Sequence, residues 1–173
     1  MRRHFVQPDD QAHVADVPWS EAGAVEVLTF DMGGQTFALE AALVREILDP
    51  LPEIRVPGAP GLVPSVVNFR GRIVPVADLR LAFGMVASVA GADSRIIVIE
   101  LDLDEEPTLL GLKTDRVHEV TTLFADTSEP PPVIGLKWRR DFVRTLVRQH
   151  NDVVVLPDLN NIFATPLAGT MTV

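Results

Sequence analysis

The chain of 173 residues contains no cysteine. That excludes disulfides, thiolate nucleophiles and cysteine-ligated metal sites, and it suits a reducing compartment. Tyrosine is also absent, and aromatics make up only 6% of the residues. Val, Leu and Ile must therefore fill the core, and the β-branched ones favour sheet. No window reaches the ~18 consecutive apolar residues of a membrane span. The opening MRRHFVQPDD carries positive charge with no apolar run behind it, so no signal peptide is expected. Basic clusters are few elsewhere. The net charge is −9, and the main basic run is KWRRDFVRTLVRQH at 137–150. Such a balance argues against nucleic acid as a partner.

Chemistry-bearing patterns are missing as well. Gly33-Gly34 belongs to no G-x-G-x-x-G or P-loop pattern, and there is no G-x-S-x-G elbow. The histidines, at 4, 13, 118 and 150, lack the spacing of a zinc site. No metal, cofactor or catalytic residue is expected. The acidic run Asp102, Asp104, Glu105, Glu106 lacks the order of a calcium loop and reads as a solvated hairpin tip. Asp78 follows a strand and reads as the cap of a short turn or helix. Arg144 and Arg148 fit an exposed strand face at least as well as an anion site.

What is present is a series of short apolar segments separated by turn residues. Fourteen prolines argue against a helical bundle. Strands are expected over 25–30, 35–39, 72–76, 95–101, 109–113, 117–120, 141–148 and 153–156. The segment EAALVREILD reads as a turn or two of helix, with Leu43, Val44 and Ile47 on one face. Residues 62–69 are expected to begin as a helical turn and end as a strand, and Asp158–Phe163 as a closing helix. Nine or ten short strands with few helices predict an all-β barrel or sandwich. Residues 1–22 show no period and read as a flexible tail, 23–165 as one domain, and 166–173 as a second tail. Rigid proline loops beside apolar strands suit a protein that works by docking.

The segment SVVNFRGRIVPVADLR, 65–80, is the most specific part of the chain. Together with VREILD before it and GLKTDRVHEV after it, it resembles the CheW-like adaptor family, over roughly residues 24–164. The resemblance implies two intertwined five-stranded SH3-like barrels with short helices. It implies a non-enzymatic adaptor, cytoplasmic and recruited to membrane-associated arrays. The partners would be the regulatory domain of a CheA-type histidine kinase and the cytoplasmic tips of methyl-accepting chemoreceptors, with no cofactor. The alternative is a divergent scaffold that binds a kinase without receptor coupling, for example in a type IV pilus pathway. By position, Asn68, Arg70 and Gly71 fall on the family's most recognisable turn. Val44 and Glu46 match its V-x-E-I kinase-docking segment, and Ile47, Ile54 and Val56 would join barrel-to-barrel pairing. Val44, Val67, Phe69 and Val76 are expected near the receptor groove. An exposed barrel edge leaves weak self-association open. The chain departs from the family pattern at Pro64-Ser65 and at Trp138-Arg139.

Overall fold

The computed structural model of the protein describes residues 17–164, except 87, 88, 134, 136 and 137. Twelve strands and one helix are found there. The strands are β1 (Ala24–Met32), β2 (Gln35–Glu40), β3 (Val44–Leu48), β4 (Ile54–Arg55), β5 (Ser65–Phe69), β6 (Arg72–Ala77), β7 (Arg95–Leu103), β8 (Glu106–Thr114), β9 (Arg116–Phe124), β10 (Ser128–Glu129), β11 (Val143–Gln149) and β12 (Asp152–Pro157); the helix α1 is Leu159–Ala164. They form two six-stranded sheets, ordered β10-β11-β12-β2-β1-β9 and β3-β7-β8-β6-β5-β4. The all-β architecture matches the expectation, with six strands in each sheet rather than five.

Chain order explains the intertwining. The first sheet takes its strands from both ends of the described chain, and the second takes all of the middle. Two short crossings join them, at Ala41–Leu43 and at Asp115. Four hairpins are closed by two-residue turns with both φ angles positive: Gly33-Gly34, Arg70-Gly71, Asp104-Glu105 and His150-Asn151. That is the turn whose twist matches the right-handed twist of paired strands.

The helix expected around 43–47 is a strand. Only Ala41–Leu43 winds, as a single 3-10 turn, and Val44–Leu48 then pairs with β7. In this register Val44, Glu46 and Leu48 turn inward and Ile47 faces solvent. A helical spacing groups Leu43 with Ile47, but the strand period places Ile47 opposite its neighbours. The segment before β5 is a turn rather than a helical start.

Three apolar clusters hold the molecule. The largest lies between the sheets and joins Phe30, Phe37 and Leu39 of the first to Ile97, Ile99 and Leu112 of the second. Phe142 and Ile162 of the C-terminal part complete it. A second cluster, inside the first sheet, includes Val17, which is buried beside Val25 and Val27. The flexible tail expected through residue 22 therefore does not include Val17. Residues 1–16 and 165–173 lie outside the described residues. The third cluster sits inside the curl of the second sheet, where Val67, Val74, Val76 and Ile96 meet Leu48 and Phe69. Gly111 permits this close packing, because a Cβ there would come within 2.9 Å of Ile96 Cγ2.

Candidate functional site

The β5–β6 hairpin carries the recognisable turn. Phe69 pairs with Arg72, so Arg70 and Gly71 are the two central residues, at φ 51° and 77°. Glycine adopts that conformation freely, whereas a residue with a Cβ strains by about 1–2 kcal/mol. Arg70 bears this strain. The Asn68 side chain supports the turn by accepting a hydrogen bond from the Gly71 N–H at 3.0 Å. The Arg70 guanidinium lies 5.2 Å from the centroid of the Phe69 ring and pairs with Glu46 at 2.8 Å.

That pair spans the open side of the curled second sheet. Glu46 belongs to β3, at one edge, and the hairpin tip lies toward the other. A register shift between Val44 and Glu46 on β3 bends the edge strand at this point. Beneath the rim lies the third apolar cluster. The Arg70 side chain is 73% exposed, so the pair contributes at most about 1 kcal/mol to stability. A strained, exposed arginine on a rigid hairpin is therefore poorly explained by folding alone.

Asn68, Arg70 and Gly71 are exposed, while Val44, Glu46 and Phe69 are half-buried. Val67 and Val76 occupy a different place from the one expected. Both are buried inside the curl, because β5 and β6 turn positions 65, 67, 74 and 76 inward. They support the hairpin and offer no side-chain surface to a partner. The opposite faces of the same strands do. Ile54 pairs with Val66 and Val66 with Pro75, while Asn68 pairs with Ile73. Ile54 and Ile73 are 65% and 77% exposed. This apolar row crosses three strands, while Arg55 and Arg72 alternate onto the opposite face. Ile73 was not among the expected contact residues. The signal for it was the run Ile73 to Val76, apolar on both faces of a strand whose outer face is exposed at Ile73.

A second concave surface lies between the sheets. It is a groove of about 510 Å³ with Leu43, Leu101 and Leu159 in its lining. Glu40 at the end of β2 and Arg144 on β11 form a nearly buried ion pair in its wall. The α1 segment is fixed there by Asn160, whose Nδ2 donates to the Asp102 carbonyl at 2.6 Å.

Asp78 accepts hydrogen bonds from both the backbone N–H of Arg80 at 3.1 Å and its guanidinium at 3.0 Å. It caps the turn that follows β6, as expected. Ser65 lies in β5 opposite Val76, and the positive-φ corner sits at 70–71, so no glycine-like bend is required at 65. Trp138 meets Phe83 edge-on at 5.4 Å, and Phe83 in turn meets Phe37. It is a packing residue on the main core. Arg139 grips Asp141 through two hydrogen bonds of 2.9 and 2.6 Å. Those bonds hold the Asp141 carboxyl below its ordinary value. His118 pairs with Asp31 at 2.8 Å. Among the described residues no three His, Asp or Glu side chains gather as a metal-binding set.

Comparison with known proteins agrees with this geometry. A family model described as "CheW-like domain" matches residues 26–166. The chain is 29% identical over 141 residues to the chemotaxis protein CheW of Rhizobium meliloti (strain 1021), covering 82% of this chain and 88% of that protein. It is 31% identical over 118 residues to Protein PilI of Pseudomonas aeruginosa, covering 66% and 60% of the two chains. The crystal structure of the scaffolding protein TtCheW from Thermoanaerobacter tengcongensis superposes with a TM-score of 0.70 at 26% identity, covering 82% of this chain and 93% of that one. The match runs through both sheets and through the strained hairpin at Arg70: this chain belongs to the CheW-like domain family.

Proposed function

We propose that the protein is a non-catalytic adaptor that couples methyl-accepting chemoreceptors to a CheA-type histidine kinase in a chemosensory array. Arg70 carries the reading, as an exposed arginine held in a conformation that favours glycine, inside a CheW-like domain. The regulatory domain of the kinase docks on the second sheet, across the row Ile54, Val66, Pro75 and Ile73, with Arg70 and Glu46 at its margin. The receptor tip enters the groove between the sheets. The adaptor unit is a single domain over residues 23–165. No helix among the described residues is long and apolar enough to cross a membrane, so arrays would recruit the protein through its partners. Individual contacts need only modest affinity, because multivalent assembly supplies strength.

Titrating the protein separately with the kinase regulatory domain and with a receptor hairpin tip tests this. Both bind if the reading holds. Binding of the kinase without the receptor would instead favour a scaffold divorced from receptors, and binding of neither would sink both readings. Ile73→Asp should weaken kinase binding at least about tenfold, or ~1.4 kcal/mol, with no loss of folding. Its side chain supports no core.

A further inference from the structure

We propose that the pocket between the loop at 50–53 and strands β7 and β8 binds a small neutral molecule with a compact apolar body and one hydrogen-bond acceptor. The pocket measures about 180 Å³. A cavity of about 150 Å³ admits benzene, so the ligand is on the scale of one six-membered ring with a short substituent. Pro50 and Leu51 line one side and Ile96 another, and they suit the apolar body. The pocket shares no lining residue with the groove between the sheets, and none with the row Ile54, Val66, Pro75 and Ile73.

The polar lining decides the charge of the ligand. Arg80, Arg95 and Lys113 line the pocket, and each already has a carboxylate. Lys113 pairs with Glu53 at 2.8 Å and Arg95 with Asp49 at 3.4 Å. Arg80 meets two, Asp78 and Asp115. An anionic ligand would add negative charge to a set that is already compensated, and its own desolvation would go unrepaid. A neutral ligand avoids that cost. One donor is nevertheless left over. The Thr114 hydroxyl donates to the Arg95 carbonyl at 3.1 Å, but the Nε of the buried Arg80 has no acceptor among the described residues. A buried donor in that state destabilises the empty form, and an acceptor carried in by the ligand would complete it. Leu51 and Ile96 also belong to the third apolar cluster, with Val67 and Val74 of the Arg70 hairpin. Occupancy would therefore be felt beneath Arg70.

That consequence rests on the adaptor reading, but binding itself is testable without a partner. Benzamide is the probe, with one ring, one carbonyl acceptor and no net charge. Added to the full-length protein, it should shift the NMR methyl signals of Leu51 and Ile96 saturably, with a Kd on the order of millimolar, modest for about nine heavy atoms. The Arg80 Nε–H signal should move downfield as it gains an acceptor. Benzoate should bind at least about tenfold more weakly, because it carries a charge into the pocket. Naphthalene carboxamide, too large for the space, should give no shift. Leu51→Trp, which fills the pocket, should abolish the benzamide shift at Ile96, and the size arm on the wild type decides the matter if that variant does not fold. Absence of a saturable shift overturns the proposal, and so does benzoate binding as tightly as benzamide. An unmoved Arg80 Nε–H signal in the bound protein overturns the acceptor, leaving that donor to ordered water. Saturating benzamide should change the affinity for the kinase regulatory domain by about fivefold, the low end of allosteric coupling, and an unchanged affinity breaks the link to the hairpin. If the kinase domain binds and benzamide does not, the pocket fails while the adaptor function stands. If benzamide binds and neither partner does, the adaptor function fails while the pocket stands.

Discussion

Arg70 and Arg80 lie ten positions apart, and each meets carboxylate partners, yet they do opposite work. The Arg80 side chain is 5% exposed and pairs with Asp78 and Asp115. Asp115 sits at the crossing between the sheets, where its Oδ2 also accepts the Gly33 N–H of the first sheet at 2.8 Å. Arg80 therefore ties the turn after β6 to the joint between the two halves of the molecule. Arg70 is exposed, strained and paired with a single glutamate across an open rim. Burial separates a fastening from a contact. An interior cation holds its neighbours in place, because losing either side leaves charge unpaired in a poor solvent. A surface cation of the same type contributes little to folding and is free to be used elsewhere.

The largest effect expected on this contrast is from Arg80→Ala. It should destabilise the protein by about 3 kcal/mol, since it strands two carboxylates beside the core. For a chain of this size that lowers the melting temperature by roughly 6–12 °C. Arg80→Lys should recover only part of the loss, because one ammonium cannot reproduce a fork that reaches two carboxylates. Thermal melts of the three proteins decide it. Wild-type stability in Arg80→Ala would erase the distinction drawn here.

Arg70 should give the reverse pattern. Arg70→Ala changes stability by no more than about 1 kcal/mol, in line with an exposed pair. Its binding to the kinase regulatory domain or the receptor tip should fall at least about tenfold, or ~1.4 kcal/mol. Arg70→Asn sharpens the comparison further. Asn-Gly is the preferred pair for this turn, so the variant should melt at or above the wild-type temperature while coupling is still lost. Stability and binding would then move in opposite directions at one residue. A variant that loses stability and keeps its binding would make Arg70 a structural residue.

The sequence made some of this legible and hid the rest for identifiable reasons. Strands announced themselves through β-branched runs, and turns through Gly33-Gly34, Asn68 to Gly71 and His150 to Asp152. The β5–β6 hairpin was legible because Asn, Arg and Gly interrupt an apolar run. The segment Val44–Leu48 misled, since Leu43 and Ile47 fit a helical spacing that only pairing with β7 overrides. Val67 and Val76 were placed near a partner although they are interior. A strand apolar on both faces does not declare which face is covered. Glu46 as the partner of Arg70 was invisible, because the ion pair arises from the curl of a whole sheet. The role of Arg80 was equally hidden, since Asp115 lies 35 positions away in the chain.

The smallest effect concerns a third arginine, which extends the contrast to pH. Arg139 is exposed like Arg70, but its partner Asp141 is two residues away and bound through two hydrogen bonds. The Arg139 hydrogen bond is the main cause that holds the Asp141 carboxyl below its ordinary value. Burial opposes it, and a hydrogen bond from Asn161 helps it. A lowered carboxyl binds fewer protons folded than unfolded. Its contribution is complete above the ordinary aspartate value, about 3.9, and fades as pH falls toward the lower folded value. Arg139→Gln should therefore flatten the acid limb of the stability profile slightly and leave neutral stability nearly unchanged, because solvent screens the pair. Denaturant unfolding of both proteins from neutral pH down through the aspartate range measures it. An equal slope in the two would show that this local clasp fastens nothing. A large loss at neutral pH would place Arg139 with Arg80 among the fastenings and not with Arg70.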